Sequence, residues 1–326
     1  MKISRFFLSA SFLLAVGLAL KLTSIQSNAQ EAEALGDQQT TVTITSVKSN
    51  ASSSAENAVV ADQNVVDDAE AGQTDDERFI FIKPQDQQKI DALRVLYRDQ
   101  VEVYRSAEKN FAIAKSQLEQ VQTLNSLEEA IKQTKAVMFE RNRVMITYFE
   151  LTFLVLDTTQ GVELSLKEVT KKEILEAITS LKLHQSKIET SQNREAMEVL
   201  ALEFEPIAKN YQETTYKALS LIKLGGMQAL LDRTAAIKKE VTARHSQENV
   251  SEVVNSRRQR AYAEIDKKLA ANTAVIRENV IEMQDIESKP TGSFGSSFYE
   301  SVLKDLGPVY VAISQLLDHS TELLTL

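Results

Sequence analysis

The residues of this sequence that come nearest to a chemical site are histidines paired with glutamates. The chain holds three histidines, His184, His245 and His319, in separate segments. Glu248 follows His245 by three residues, and Glu322 follows His319 by the same interval. This spacing places both members of a pair on one helix face, where they offer two ligands to a metal ion.

These pairs alone do not supply enough ligands for a metal centre. A helical bundle that holds two iron ions takes a Glu-x-x-His motif from each of two helices, together with further inward carboxylates. That combination does not occur in the sequence. We therefore expect the four paired side chains to be exposed and polar, and we predict neither a metal nor a cofactor.

Catalytic and nucleotide-binding motifs are also missing from the sequence. It contains no HExxH motif, no Walker loop, no glycine-rich dinucleotide turn and no Gly-x-Ser-x-Gly elbow. The stretch 292–297 is glycine-rich but follows no predicted strand, so we interpret it as a linker. The chain has no cysteine, which excludes disulfides and thiol chemistry. The sequence therefore predicts a protein without catalytic residues.

One basic cluster is a candidate binding surface, formed by Arg257, Arg258 and Arg260. At helical spacing these side chains fan around the helix axis, so we expect most of them to be solvated or paired with neighbouring acids. An anionic ligand, such as a lipid head group or a cell-wall polymer, is the alternative.

The negative charge of the chain is concentrated near its N-terminus. The net charge is −9, and residues 30–84 alone hold eleven acidic and three basic side chains. The residues after Pro84 are closer to neutral, with a net charge of −4. Nucleic-acid binding requires a basic surface that neutralises phosphates, so we predict no nucleic-acid partner.

The first 29 residues have the pattern of a secretory signal peptide. Lys2 and Arg5 precede a run of fifteen mostly apolar residues, Phe6–Leu20. A membrane-spanning helix needs about 20 apolar residues, so this run is short for a permanent anchor. Small side chains predict signal cleavage between Ala29 and Gln30. We expect a periplasmic or extracellular protein, with an uncleaved N-terminal membrane anchor as the alternative.

Residues 30–78 are predicted to form a disordered acidic linker. They are rich in Ala, Ser, Thr, Gln, Asp and Glu and contain no aromatic residue. Such a segment cannot bury enough apolar surface to offset the entropy lost on ordering. The rest of the chain, 79–326, is predicted to be a helical domain.

A seven-residue repeat of apolar side chains opens this domain. The first row is Ile90, Tyr97, Tyr104, Phe111 and Leu118; the second is Leu93, Ala107, Ala114 and Val121, interrupted by Gln100. Five heptads of this kind predict a helix from Asp86 to Gln122, about 55 Å long.

Further helices are predicted along the whole domain. Their expected ranges are 126–156 with Ser126 as N-cap, 165–190, a helix that starts after Asn193, a helix after the polar turn 246–249, and 297–324. We expect Gly225 and Gly226 to interrupt the fourth helix, because two glycines cost about 2 kcal/mol relative to alanines. We also expect bends at Pro206 and Pro308.

Two further features concern the core. Ten of the thirteen residues in Val144–Leu156 are apolar, too many for one helix stripe, so we expect this stretch to be enclosed on most sides. Asn272 and Asn279 continue an apolar row of the fifth long helix. A buried Asn can fix helix register, but here we expect both amides to face water.

The sequence therefore predicts an all-α protein: an elongated antiparallel bundle of five or six long helices with coiled-coil-like seams. The leading functional hypothesis is an exported, non-enzymatic scaffold or adaptor that acts through a protein partner or self-association. One alternative is a membrane-active, pore-forming type of protein that exposes Val144–Leu156 to lipid. Another is a ligand- or metal-sensing bundle that uses His245 or His319.

Overall fold

The structure is a computed structural model that describes residues 82–289 and 294–323, excluding the side chains of residues 321 and 322. The predictions for the signal peptide, for its cleavage between Ala29 and Gln30, and for the linker 30–78 lie outside the described residues.

All regular secondary structure in the described part of the chain is α-helical. Its six helices are α1 (Pro84–Val121), α2 (Leu124–Thr158), α3 (Leu164–Thr190), α4 (Arg194–His245), α5 (Glu252–Ser288) and α6 (Ser296–Leu323). They account for 91% of these residues and pack against one another, which confirms the predicted helical bundle.

The turn between α1 and α2 is built from two residues. Gln122 adopts a left-handed conformation, with φ 47°, and ends α1. Thr123 is the N-cap of α2: its Oγ1 accepts a hydrogen bond from the Ser126 amide at 3.3 Å, and the Ser126 hydroxyl oxygen accepts one from the Thr123 amide at 3.0 Å. The prediction of Ser126 as the N-cap was wrong, since the N-cap is Thr123, three residues earlier. Ser126 instead supplies the second half of a reciprocal capping box.

Consecutive helices run antiparallel. The rings of Tyr97 on α1 and Tyr148 on α2 lie 5.6 Å apart. Lys135 near the start of α2 donates to the Glu189 carbonyl near the end of α3, at 2.5 Å. At the opposite ends of these two helices, Lys171 pairs with Asp157 at 2.8 Å. Such crossed pairing of starts and ends is the geometry of helical hairpins with short connections.

Helix α4 is shared between two sets of neighbours. Its first part carries Phe204 and Tyr211, which contact His184 of α3 and Phe149 of α2 with ring distances of 5.6 and 4.4 Å. Its last part packs on α5, where Lys238 pairs with Asp266, and its middle part packs on α6. This 52-residue helix therefore joins the α1–α3 hairpins to α5 and α6.

The predicted enclosure of residues 144–156 is confirmed. Every residue of the stretch 144–156 on α2 is buried or half-buried, and Met145, Phe149 and Leu156 have no exposed surface. The apolar rows of α3, α4 and α5 are buried as well, for example at Ile174, Leu181, Leu200, Ile265 and Met283.

Two positions of the predicted seams differ from expectation. Val121, the last member of the α1 seam, is 60% exposed, because α1 ends there and the chain turns away. Asn279 is 4% exposed and not turned to water. Its Nδ2 donates to the Val275 carbonyl at 3.0 Å and lies 3.4 Å from Asp305 of α6, so it belongs to the α5–α6 contact.

The predicted interruption at Gly225 and Gly226 was wrong, since α4 continues through both residues. Gly225 lies directly against the α2–α3 connection: a Cβ atom there would stand 2.9 Å from the Gln160 carbonyl oxygen and overlap the Val162 side chain. Gly161, with φ 73°, faces the Gly225 carbonyl oxygen, and a Cβ on it would lie 2.5 Å away. Packing of the connection onto the helix backbone thus offsets the poor helix propensity of glycine.

This contact predicts opposite effects for two adjacent substitutions. Gly225→Ala should lower the free energy of unfolding by about 1–3 kcal/mol, because the new methyl group overpacks the connection. Gly226→Ala should raise it by up to about 1 kcal/mol, since a Cβ there meets no atom within 4 Å and alanine favours helix. Urea denaturation followed by circular dichroism at 222 nm measures both. Equal effects of the two variants would contradict the assigned contact.

Candidate functional site

The predicted pair His245 and Glu248 is engaged in other contacts. His245 Nδ1 lies 2.6 Å from the hydroxyl of Tyr262 on α5. Glu248 Oε2 accepts a hydrogen bond from Arg258 Nη2 at 2.7 Å. The two side chains therefore tie the end of α4 to the start of α5, instead of turning together toward one ligand.

The three arginines do not form one basic surface. Arg257 and Arg260 are exposed, whereas Arg258 is 3% exposed. Arg258 stands four residues before the buried Tyr262, which places it on the inner face of α5. Its pairing with Glu248 agrees with the expected pairing to an acid, but its burial removes it from any surface formed by the other two.

The second predicted pair, His319 and Glu322, lies near the end of α6. His319 is exposed, and the side chain of Glu322 lies outside the described residues. Among the residues that the structure describes, no group of three His, Asp or Glu side chains is placed to hold a metal ion.

A buried polar cluster joins α2, α3 and α4. The sequence did not predict this cluster. Its centre is His184, 2% exposed. The His184 Nε2 lies 2.9 Å from the Leu200 carbonyl oxygen, which only accepts, so Nε2 carries the ring proton. Nδ1 then accepts a hydrogen bond from Asn142 Nδ2 at 2.8 Å. Burial lowers the pKa of His184 below its ordinary 6.5, and the nearby Arg141 acts in the same direction.

Arg141 forms the charged side of this cluster. Its guanidinium lies over the Phe204 ring, 3.2 Å from the ring centroid, and burial lowers its pKa to about 10. The Nε and Nη2 atoms are buried and have no hydrogen-bond partner among the described residues. Stacking on an aromatic face is a geometry that arginine favours when it is desolvated. Both ring nitrogens of His184 are occupied, so the cluster positions helices and offers no available base.

A second buried charge, Lys217, connects α4 to α3 and α5. Lys217 is 2% exposed, and its Nζ lies 2.8 Å from Glu173 Oε1 and 2.5 Å from Glu287 Oε2. The aromatic ring of Phe294, two residues before α6, lies 5.4 Å from the same atom. Burial raises the pKa of Glu173 above its ordinary 4.5, against the attraction of Lys217. One ammonium thus neutralises two carboxylates from different helices.

Seam positions contained a signal for both clusters. His184 stands three residues after the buried Leu181, and Lys217 three residues after the buried Thr214. Each polar residue therefore occupies an inward position of its helix, where a side chain needs an internal partner. The partners Asn142 and Glu173 lie on other helices, and heptad spacing within one helix does not identify them.

A cleft of about 200 Å³ opens between α3 and α4 beside the helix-interior Pro206. Its lining is uncharged and consists of Ala177, Ser180, Leu181, Pro206, Ile207, Asn210 and Tyr211. The hydroxyl and amide groups of Ser180 and Asn210 can hydrogen-bond a small ligand, but the lining contains no nucleophile with an adjacent base.

Comparison with protein-family models, curated proteins and solved structures found no match to this chain.

The Lys217 cluster predicts a large, pH-dependent effect of one substitution. Lys217→Met should lower the free energy of unfolding by about 2–3 kcal/mol at pH 7, because two partly buried carboxylates lose their counter-charge. The loss should shrink as pH falls toward 5, since the variant further raises the folded-state pKa of Glu173 and protonation then favours the folded state. The measurement is urea denaturation across this pH range.

The matched control for this experiment is Lys209→Met, whose side chain is 78% exposed on the same helix. It should change stability by no more than about 0.5 kcal/mol at any pH. Equal losses in the two variants would contradict the assigned role of Lys217.

The His184 cluster predicts a stability change near pH 6. The folded protein keeps His184 neutral, while the unfolded chain takes up a proton below pH 6.5, so stability falls as pH falls through 6.5. The slope from this group is at most about 1.4 kcal/mol per pH unit. His184→Gln, which can donate to Leu200 and accept from Asn142, should flatten this part of the pH profile. Parallel profiles for the two proteins would contradict the assignment.

Proposed function

We propose that the protein is an exported, non-enzymatic helical scaffold or adaptor that binds other proteins through the outer faces of its helices. The supporting observation is a pair of exposed leucines on two neighbouring helices, called the leucine patch below. Leu183 on α3 is 61% exposed, and Leu202 on α4 is 66% exposed.

The internal contacts of α3 and α4 place these leucines at one level. His184 contacts the Leu200 carbonyl, and Lys187 pairs with Glu203 at 2.8 Å. Leu183 and Leu202 are direct sequence neighbours of these contacts on antiparallel helices. Single exposed leucines are common on protein surfaces, but two of them at one level of neighbouring helices favour a protein-binding surface.

Export is the second part of this proposal, and it rests on the sequence of residues 1–29. The short apolar run after two basic residues favours cleavage between Ala29 and Gln30 and release into the periplasm or the extracellular space. Retention of this run as a membrane anchor is the alternative. In the described part of the chain, none of the helices combines the length and apolarity needed for a membrane crossing.

The membrane-active alternative requires a different arrangement of α2. The stretch Val144–Leu156 is covered by its neighbours, so contact with lipid would require the bundle to open. Release of a trapped dye from liposomes by the purified chain would favour this alternative over the scaffold. Metal analysis of the same preparation tests the metal-sensing alternative at His245 and His319.

Export predicts a defined change in mass. The chain produced in a bacterial host should be recovered outside the cytoplasm without residues 1–29, as measured by cell fractionation and intact mass spectrometry. Leu13→Arg, which breaks the apolar run, should keep the uncleaved chain in the cytoplasm, while the control Leu35→Arg should not. An intact N-terminus in the membrane fraction would support the anchor, and wild-type protein retained in the cytoplasm would overturn export.

A binding role predicts that the leucine patch is needed for association and not for folding. In cells that make the protein, a photo-crosslinking residue at position 183 should give discrete protein adducts, and Leu202→Glu should abolish them. The variant should keep its unfolding free energy within about 0.5 kcal/mol. The same probe at Lys267, exposed on α5, is the control. Adducts that are unaffected by Leu202→Glu would overturn a role for this patch.

A further inference from the structure

Helix α6 carries a second seam on its outer face. Its inner row is buried and consists of Val302, Leu306, Val309, Ile313 and Leu316. Three large side chains then recur outside this row at seven-residue spacing: Leu303, Tyr310 and Leu317 are 37%, 59% and 41% exposed. A seven-residue repeat of large side chains marks the packing seam of a coiled coil.

Small residues alternate with the large ones along this outer face. Gly307 stands between Leu303 and Tyr310, and Ser314 stands between Tyr310 and Leu317; both are exposed. A Cβ atom at Gly307 would meet no atom within 4 Å. The face therefore has large side chains separated by openings at Gly307 and Ser314, and a large side chain of another helix can fill these openings.

The face is complementary to itself only when a second copy runs antiparallel. In that direction, Tyr310 falls opposite Ser314 of the partner subunit, and Leu317 falls opposite Gly307 of the partner subunit. In a parallel pair, the large side chains would meet each other and the small ones would leave gaps. Close packing without voids favours the antiparallel arrangement.

Charge gives an independent reason for the same direction. Lys304 and Asp318 are exposed beside the seam, seven residues on either side of Val311. An antiparallel pair centred near Val311 places Lys304 beside Asp318 of the partner subunit, and the two-fold symmetry repeats this pair. A parallel pair in register would leave Lys304 and Asp318 of the partner subunit fourteen residues apart, about 21 Å along the helix axis, so the opposite charges could not pair.

We propose that two copies of this chain associate through the outer face of α6, antiparallel and two-fold symmetric about a point between Val311 and Ala312, which lies within half a residue of the centre of each of these pairs. This proposal deepens the scaffold function and rests on it, because it identifies one partner as a second copy of the chain. It involves a helix different from the Leu183 and Leu202 patch, so each surface can be tested separately.

Charge reversal tests the pairing in the whole chain by analytical ultracentrifugation. Wild-type protein should dimerise, and Lys304→Asp should weaken the dimer at least tenfold, because Asp318 of the partner subunit then faces a like charge. The double variant Lys304→Asp/Asp318→Lys should restore dimerisation, while Lys267→Asp on α5 should have no effect. Circular dichroism verifies that all variants are folded. A dimer insensitive to Lys304→Asp would overturn the proposed face.

Crosslinking tests the symmetry axis, because the chain has no cysteine of its own. Val311→Cys should be joined into a covalent dimer by a short thiol crosslinker. Ser301→Cys should not be, since ten residues from the axis on both antiparallel helices separate its two copies by about 30 Å. Crosslinking of Ser301→Cys with equal yield would overturn the antiparallel register.

Two further outcomes would overturn the proposed dimer. Neither decides the scaffold function, which has separate tests. A wild-type chain that stays monomeric at all concentrations would overturn the dimer, yet adducts from position 183 would still support a scaffold. Binding of the chain to anionic lipid vesicles that is lost in Tyr310→Glu would assign the α6 face to a membrane. Loss of the position 183 adducts with an intact dimer would instead count against the broader adaptor role.

Discussion

The buried ammonium of Lys217 is the contact on which the arrangement of the helices depends most. A charge with 2% exposure is tolerated only when opposite charges accompany it, and here the two carboxylates come from α3 and α5. Both helices must therefore stand at the same level of α4. Two turns later, Gly225 admits the α2–α3 connection onto the same helix. Together these contacts fix α4 against the α2–α3 hairpin on one side and α5 on the other. A shift of either neighbour along α4 would leave a buried charge without its partner or create a steric overlap at Gly225.

The His184 cluster adds a constraint of another kind, since it makes the contact between α2, α3 and α4 specific. Apolar seams tolerate sliding by a heptad, because leucine and isoleucine positions are interchangeable. A neutral imidazole has one donor and one acceptor, so it needs one neighbour that accepts and one that donates. Here these are the Leu200 carbonyl and the Asn142 amide. A slide would leave buried polar atoms without partners, which costs more than the hydrogen bonds contribute. Specificity in this bundle therefore comes from a few polar residues placed on otherwise apolar rows.

Sequence periodicity was sufficient for the helices and for most of the core, because an apolar row on one helix depends only on residues of that helix. Ile90, Tyr97 and Tyr104 lie buried where their spacing predicted. The features that were missed depend on a second element. Gly225 was predicted to break the helix because its partner, the α2–α3 connection at Gln160 to Val162, lies 63 to 65 residues earlier in the sequence. The contacts of Lys217 and His184 were not predicted for the same reason, and Asn279 was expected to face water although Asp305 lies beside it. For the candidate sites, spacing predicted that His245 and Glu248 share one helix face, but α4 ends at His245. The spacing also did not indicate that Tyr262 and Arg258 would engage the two side chains.

Helix α6 bears on the proposed self-association, because its sequence meets two sets of requirements. The buried row from Val302 to Leu316 completes the core, and this alone would allow polar residues on the rest of the surface. Instead, large apolar side chains return at Leu303, Tyr310 and Leu317, with small residues between them and opposite charges beside them. A helix whose only task was to close the bundle would gain nothing from this second pattern and would risk non-specific association. The alternation of side-chain size and the placement of the two charges fit an antiparallel approach better than a parallel one. This property is expected of a face that binds a single partner in a single register.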